Sequence, residues 1–518
     1  MKLNMVLLTV VVMSFSATAS SSMLQRLGWV SSSEQLNALN YPATIESLYE
    51  EIHHQFVWLD PTLADELEAR LEVIHLAGIS KEFSSLYLSM QEAKKNHQYY
   101  RYELLATDAF LRYLSYTHHA RNNAEQWFHG GQVSRKLPSI SDRELDQLID
   151  AIRSDQLLAF IGRTHPVNTI YKTNVPVIEQ LKVISNSQGL EKRFNQFLRR
   201  GTQINDPQLL AQKLSASGIV VPAKLTTHSD YDWQWQQQVK KFQSLHGLKA
   251  DGIVGEQTLY WINYPAAQKI RVLALNIERS RGFSTQKRAY IQVNLPQYKM
   301  KFWANNQLEF ETRVIVGKEE RPTPLMWTSL STIVVNPTWN IPIKIMRKDL
   351  LPKVAKNNQY LVDQNISIIP YWGSDRVIDS SSINWSSVNA ETFNYRMTQS
   401  SGSHNALGQY KFLLPNDRAI YLHDTPAKGL FSRSERAFSS GCVRVQGADK
   451  FAQTLLEVSG QSKSPLFSDD SNKKVRMKRG ISVEFIYRSA WVEKGQLHMR
   501  KDIYGYDDTS RLFDLAMN

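Results

Sequence analysis

Apolar residues recur at helical spacing from about residue 40 to residue 200. One such stripe comprises Leu63, Leu67, Leu71 and Ile74. Gly78 follows it as a stop signal, and Ser141 and Glu144 have the spacing of a capping box ahead of a further stripe. The pattern predicts a helical scaffold domain over residues 20–204, in which no set of side chains suggests chemistry.

A shorter helical unit is predicted over residues 205–266. Its first helix is LLAQKLSASGIV, and the inward positions of its second are Trp235, Val239, Phe242 and Leu245. A tight turn at Asp251-Gly252 precedes a third helix that begins after Gly255. The spacing predicts a three-helix packing module, followed by a helical linker over residues 267–287.

The period changes near residue 288, where RAYIQVNLPQYKMKFWANNQLEFETRVIVGK alternates apolar and polar residues. STIVVNPTW, GQYKFLLPN and AIYLHD continue the alternation, and ISVEFIYRSAWV (481–492) predicts a final strand with Tyr487 and Trp491 in the core. A Pro- and Asn-rich stretch, 341–400, interrupts the strands and predicts a lid-like insertion. The chain is therefore predicted to be multidomain α+β, with a mainly antiparallel β domain over 288–508 and a tail over 509–518.

The N-terminus has the pattern of an export signal. Lys2 precedes a short apolar run, and Ala17-Thr18-Ala19 is a small-x-small cleavage site. An uncleaved anchor is the alternative, although the run is shorter than the roughly 20 apolar residues of a membrane span. The pattern predicts a signal over residues 1–19, cleaved after Ala19.

The chain is basic, with a formal net charge of +12. Such a balance suits anionic wall polymers, membrane headgroups or nucleic acid. The densest run, KKVRMKRG (473–480), is typical of a solvated face, and no nucleic-acid-binding motif accompanies it. We therefore expect no nucleic-acid partner.

Cys442, in SSGCVRV, is the one cysteine of the 518 residues. A lone cysteine in an exported protein is an intermolecular partner, a buried hydrophobe or a reactive thiol. Gly441 and Arg444 beside it favour the reactive thiol, since a nearby cation lowers a thiol pKa. His423, at the end of a predicted strand, is the candidate base.

The neighbours of the cysteine suggest further roles. The N–H groups around Ser440, Gly441 and Cys442 are candidates for an oxyanion hole. Arg444 has two interpretations that the residues leave open: it lowers the thiol pKa or binds a substrate carboxylate, or it forms a structural ion pair with Asp449.

The segment HDTP…RAFSSGCVRV resembles the signature of L,D-transpeptidases of bacterial peptidoglycan. VGKEERPTP, VVNPTWNIP, NALGQYKFLLPN and IYRSAWV resemble other blocks of that catalytic domain. VKKFQ…GL…DG.VG..T resembles the peptidoglycan-binding domain of wall enzymes, which serves in binding or only as a spacer. The whole arrangement is similar to the long periplasmic subgroup.

The resemblance implies a role for each residue that matches the motif. Cys442 is the nucleophile and His423 its base, oriented by a backbone carbonyl near Asp424. The residues expected to contact substrate are Tyr421 and Ser439 in the pocket, with Trp339 and Asn405 from the lid side. Two positions depart from the usual pattern: Ser440 stands where many members have histidine, and Asp424 where many have glycine.

The resemblance further implies formation of 3→3 cross-links in a periplasm, with no cofactor and no metal. Stem peptides serve as donor and acceptor, and carbapenems are expected to acylate the same thiol. The alternatives are a cysteine L,D-carboxypeptidase or amidase of wall peptides, and a non-catalytic peptidoglycan-binding scaffold. The sequence does not indicate an oligomeric state.

Overall fold

The computed structural model describes residues 22–164, 168–185, 191–283 and 288–508. The predicted export signal over residues 1–19 and the predicted tail over 509–518 lie outside the described residues. Within those ranges, no helix combines the length and the apolar character that a membrane span requires.

The helices dominate the first half of the chain. They are α1 (Met23–Arg26), α2 (Ser33–Asn37), α3 (Pro42–Glu51), α4 (Pro61–Ala77), α5 (Lys81–Lys95), α6 (Tyr99–Ala120), α7 (Ala124–Phe128), α8 (Asp142–Arg153), α9 (Leu157–Gly162), α10 (Asn168–Ser185), α11 (Pro207–Ser215), α12 (Trp233–Leu245), α13 (Glu256–Ile262), α14 (Ala266–Arg279), α15 (Ile343–Ile345), α16 (Leu351–Lys356), α17 (Tyr360–Asp363) and α18 (Ala448–Val458).

The strands begin at residue 289. They are β1 (Ala289–Asn294), β2 (Lys299–Ala304), β3 (Gln307–Gly317), β4 (Met326–Val335), β5 (Trp339–Asn340), β6 (Ile366–Ile369), β7 (Arg396–Gln399), β8 (Tyr410–Leu413), β9 (Leu422–His423), β10 (Ala437–Ser439), β11 (Val443–Val445), β12 (Lys473–Ile486), β13 (Ala490–Glu493) and β14 (Gln496–Met499).

Two compact units make up the described chain. The first takes in Met1–His75, Ser80–His119 and Ser134–Thr164, as far as these ranges are described, and it is helical. Its predicted stripe is confirmed, since Leu67, Leu71 and Ile74 are fully buried on α4. The predicted capping box is also present, because the Ser141 hydroxyl accepts from the Glu144 N–H while the Glu144 carboxylate accepts from the Ser141 N–H.

The second unit contains the three-helix module, and its helices form where the sequence predicts them. Asp232 caps α12 by accepting the N–H groups of Gln234 and Trp235. The segment predicted as a helical linker, residues 267–287, contains most of helix α14. Helix α14 is buried along most of its length, and its last residue, Arg279, forms an ion pair of 2.6 Å with Asp507.

A nine-stranded sheet follows in the order β10-β3-β11-β9-β8-β4-β12-β1-β2, and β2 also pairs with β3. The strands from β3 to β2 in this order therefore close into a barrel, and β10 pairs with β3 outside the closed ring. Six of the nine pairings are antiparallel, as predicted, whereas β1–β12, β10–β3 and β11–β9 are parallel. Phe451 of α18 packs against Phe310 and Phe412 in the core of this domain.

The predicted final strand over residues 481–492 is wrong in its extent. Strand β12 ends at Ile486, and β13 leaves the sheet to pair with β14. The backbone between them bonds to side chains instead of a strand: the Arg488 N–H donates to Asn294 Oδ1, and the Ser489 N–H donates to Asn276 Oδ1. Tyr487 and Trp491 are buried, as predicted.

The predicted insertion folds around its own small core. Strands β5, β7 and β6 form a separate three-stranded sheet, and Met346, Trp385 and Met397 are among the residues packed beneath it. A π-helical turn, Met346–Leu350, connects α15 to α16. The insertion is thus a substructure with its own apolar interior, joined to the barrel near Trp339 and Gln399.

Candidate active site

Two short parallel strands, β9 and β11, gather the candidate site on one face of the sheet. Arg444 lies opposite His423, and Val443 lies opposite Leu422. Val443 and Leu422 are fully buried in the barrel core, so the alternation of strand side chains directs their neighbours to the other face. The predicted residues that share this second face are Tyr421, His423, Cys442 and Arg444.

His423 is held in one tautomer. Its Nδ1 lies 2.5 Å from the carbonyl oxygen of Asp424, and because a carbonyl only accepts, Nδ1 carries the proton and Nε2 is left as an acceptor. Burial lowers the pKa of His423 to about 3, with the positive charges of Arg444 and Lys411 acting in the same direction. The imidazole is therefore a neutral acceptor at physiological pH.

The Cys442 thiol is half-buried and protonated at rest. Burial raises its pKa, and this outweighs the opposing effects of Tyr421, Lys411 and Arg444. The sulfur lies 3.7 Å from the carbonyl oxygen of Ala419, and within the described part of the chain His423 is not among its hydrogen-bond partners. Both groups are therefore neutral in the resting site.

Tyr421 connects the thiol to the insertion. Burial is the main cause that raises the pKa of its hydroxyl, and that hydroxyl lies close enough to Cys442 and to the side chain of Trp339 for both to shift this pKa as well. Lys411 Nζ lies 4.1 Å from the centre of the Tyr421 ring, and the His423 ring meets it edge-on at 5.7 Å. Tyr421 thus lies beside the thiol, and Trp339 lies beside Tyr421.

The loop before the cysteine is fixed by hydrogen bonds. Gly441 has φ +117°, and a Cβ there would approach Ile420 to 3.2 Å, so glycine suits this position. Ser439 Oγ accepts the Gly441 N–H at 3.1 Å and donates to the Cys442 carbonyl oxygen at 2.6 Å. This corrects the expected oxyanion hole, because the Gly441 N–H is already used; the Ser440 and Cys442 N–H groups remain its candidates.

Arg444 has no ion pair with Asp449 in the described residues, so the structural interpretation of Arg444 is wrong. Its Nε atom is buried without a hydrogen-bond partner. Burial lowers the pKa of Arg444, and the neighbouring Cys442 raises it. The guanidinium therefore contributes positive potential beside the thiol.

Asn405 does not face the site as expected. It is buried, its amide donates to the carbonyl of Ser400 at 2.8 Å, and its carbonyl accepts the Leu407 N–H at 2.8 Å. These bonds use its polar atoms to brace the loop between β7 and β8. The departure at Asp424 also has a structural reason, because its carboxylate occupies the space beside Gly408 and accepts the Gln409 N–H at 3.0 Å.

Arg321 is a site residue that sequence reasoning missed. It donates to Ser440 Oγ at 2.9 Å and pairs with Asp349 of the insertion, where Nη2 and Oδ1 are 2.9 Å apart. This contact depends on long-range folding and leaves no local pattern. Lys411 was also missed, although alternation in GQYKF places it on the face of His423.

The family comparisons agree with this geometry. Residues 288–467 match the model of the YkuD family, described as the L,D-transpeptidase catalytic domain. Over these residues the chain is similar to that catalytic domain. Residues 204–262 match a model described as "Putative peptidoglycan binding domain", and residues 43–174 match a "Scaffold domain". The matches to the transpeptidase and peptidoglycan-binding models indicate a protein that acts on the cell wall, outside the cytoplasm.

A curated Haemophilus influenzae protein named "Putative L,D-transpeptidase" is 29% identical over 480 residues, covering 92% of this chain and 81% of that protein. Among solved structures, an L,D-transpeptidase from Stackebrandtia nassauensis is 12% identical with a TM-score of 0.23, over 56% of this chain and 94% of that one. One from Xylanimonas cellulosilytica is 15% identical with a TM-score of 0.17, over 57% of this chain and 100% of that one. Nothing further about this chain follows from superpositions at these scores.

Proposed function

We propose that the protein forms 3→3 cross-links between peptidoglycan stem peptides through a thioester on Cys442. The observation that supports this most is the pairing of β9 with β11, which puts Cys442 and His423 on one face. The Asp424 carbonyl holds the imidazole with Nε2 as acceptor. A neutral base beside a protonated thiol is the starting state for attack on a carbonyl carbon.

The first half-reaction uses the thiol, the imidazole and the loop. The Cys442 thiol rotates away from Ala419, and its sulfur bonds to the carbonyl carbon of the third residue of a donor tetrapeptide. The thiol proton passes to His423 Nε2, and the N–H groups of Ser440 and Cys442 stabilise the oxyanion. Collapse breaks the C–N bond to the terminal D-alanine, whose amine takes the proton, and a thioester remains.

The second half-reaction reverses the proton path. The side-chain amine of the third residue of another stem attacks the thioester carbon, and His423 takes its proton. The C–S bond breaks, the new amide is released, and the proton returns to the sulfur. Arg444 and Lys411 lie close enough to perturb the Cys442 thiol, so they stabilise the thiolate that leaves.

The surrounding residues define the substrate cleft. Tyr421 and Trp339 line it where the insertion meets the thiol, and Ser439 shapes the loop. Asn405 braces the loop between β7 and β8, and we assign it no contact with substrate. The same cleft admits a carbapenem, whose ring carbonyl the thiol opens. We further propose the periplasm as the location, cleavage after Ala19, and the domain boundaries expected from the sequence.

The test is a reaction with purified disaccharide tetrapeptide, analysed by mass spectrometry. The proposal expects D-alanine and a cross-linked dimer, both lost in Cys442→Ala and strongly reduced in His423→Gln. Lys474→Ala, on the exposed part of β12, is the matched control and keeps full activity. Tripeptide without dimer would support the carboxypeptidase alternative. Unchanged products in Cys442→Ala would contradict the proposal and favour the scaffold alternative.

A further inference from the structure

A groove with a volume of about 1170 Å³ lies between the three-helix module and the catalytic barrel. The module contributes the end of α12, the loop after it, and Tyr260 and Trp261 of α13. The barrel contributes Tyr298, the segment before β10, and Phe438 in β10. None of the candidate catalytic residues lines the groove, so it is a separate feature from the site at Cys442.

The groove is strongly basic. Seven lysines and arginines line it, against two acidic residues, Glu256 and Glu435. Glu435 is already paired with Lys501 at 3.2 Å. Lys249 and Arg433 have exposed side chains and extend the positive surface toward solvent. An anionic ligand is therefore the kind that this surface attracts.

Two guanidinium groups in the groove, those of Arg436 and Arg500, have no ion-pair partner among the described residues, although the more distant Glu493 partly offsets the charge of Arg500. Arg436 is 8% exposed, and its nitrogens donate to backbone carbonyls, including those of Val314 and Tyr298 at 3.2 Å. Arg500 donates to the carbonyls of Leu245 and Met499. Neither forms an ion pair within the described ranges of the chain. Burying charge without an opposite charge is costly, so a bound carboxylate would be stabilised here.

The positive charges of neighbouring arginines in the groove repel one another. Burial, followed by the like charge of Arg313, lowers the pKa of Arg436 to about 10. Burial also lowers the pKa of Arg500 to about 10; the carboxylate of Glu493 opposes this shift, and the like charge of Arg436 adds to it. An anion between these groups relieves the repulsion. Exposed aromatic faces flank them, since Phe438 is 38% and Tyr260 is 55% exposed, and such faces suit sugar rings and peptide planes.

We propose that this groove binds the carboxylate-bearing stem peptides of a peptidoglycan strand and guides the strand to Cys442. The inference rests on the proposed function and adds a second binding region to it. Phe438 lies four residues before Cys442, a span of at most about 14 Å between Cα atoms. One wall of the groove belongs to the matched peptidoglycan-binding domain, and the other leads directly to the thiol.

The test compares charge reversals at two places on the purified protein. Lys249→Glu with Arg433→Glu changes the groove, and Lys474→Glu with Arg476→Glu makes the same change in net charge on the exposed part of β12. Binding is measured on purified sacculi, on sacculi whose carboxylates are amidated, and on phosphatidylglycerol vesicles. Acylation of Cys442 by a carbapenem is followed in every variant, because this small probe does not need the groove.

The groove variant is expected to bind sacculi about tenfold more weakly, and the control variant unchanged. Amidated sacculi are expected to bind the wild type as weakly as native sacculi bind the groove variant. Equal binding by both variants would overturn the proposal. So would unchanged binding of amidated sacculi, or vesicle binding that matches binding to sacculi, which would make the groove a general anionic surface. Acylation that fails in the wild type would contradict the proposed function and leave the binding result separate.

Discussion

His423 Nδ1 lies 2.5 Å from the carbonyl oxygen of Asp424, the next residue in the chain. The contact fixes the tautomer without placing a negative charge beside the imidazole. A side-chain carboxylate in that position would raise the pKa of the histidine. Here burial and two cations lower it to about 3, so the base stays neutral and depends on the thiol for its proton.

The rate of acylation by a carbapenem is expected to be flat between about pH 5 and pH 8. His423 becomes protonated only as the pH falls to its pKa of about 3. Cys442 ionises only when the pH rises above the ordinary pKa of a thiol, because burial raises its pKa. The neutral pair therefore persists between these limits. In His423→Gln, the remaining rate is expected to follow the thiolate and to rise about tenfold per pH unit. A half-maximal wild-type rate near pH 6.5 would contradict this account.

Tyr421→Phe is expected to slow acylation at pH 7 by about ten- to a hundredfold, because the thiolate that forms during attack loses the stabilising effect of the Tyr421 hydroxyl. Trp339→Phe is the matched control, since it removes the other partner of the same hydroxyl and leaves the hydroxyl beside the thiol. Stopped-flow measurement of both variants separates the two contacts. Equal losses in the two variants would show that the hydroxyl acts through the insertion and not on the sulfur.

Arg321 and Asp349 are expected to be coupled in binding the donor peptide. Their ion pair joins the insertion to the loop of Ser440, so either alanine variant raises KM for the donor and the double variant raises it little further. Arg347→Ala breaks a pair with Glu391 inside the insertion and serves as control. Additive effects on KM in the double-mutant cycle would remove the proposed link.

Gly408→Ala is expected to lower the free energy of unfolding by about 1–3 kcal/mol. A Cβ at this position would lie 2.4 Å from the Asp424 carboxylate, and φ is +61°. Gly402→Ala is the control for backbone strain alone, since φ is +131° and, apart from the adjoining residues, no heavy atom lies within 4 Å of a Cβ there. Denaturant unfolding of both variants, with Asp424→Gly added to Gly408→Ala, measures the part due to the carboxylate. No recovery in that double variant would contradict the steric explanation.

Local patterns predicted the elements well. Alternation located β1 to β4, and the apolar stripe located α4, because both depend on neighbouring residues. The parallel pairing of β9 with β11 joins residues that are 21 positions apart in the sequence, and no local periodicity reveals it. The end of β12 was missed because Asn276 and Asn294, distant in sequence, take up its backbone donors.

The fold brings together Cys442, His423 and Tyr421, which the sequence named as candidates for the site. For Arg444 the sequence left two interpretations open, and a lowered thiol pKa belonged to one of them. The structure shows that burial outweighs that cation, and burial is a property of the folded surroundings. Arg321 was missed for a related reason, since its partners Asp349 and Ser440 come from separate parts of the chain.

The central claim is that Cys442 is an activated acyl acceptor. The most direct measurement is the intact mass of the purified protein after incubation with a carbapenem, beside Cys442→Ala. The account predicts one stable adduct of the drug on the wild type and none on the variant. A correctly folded wild type that gains no mass would contradict it.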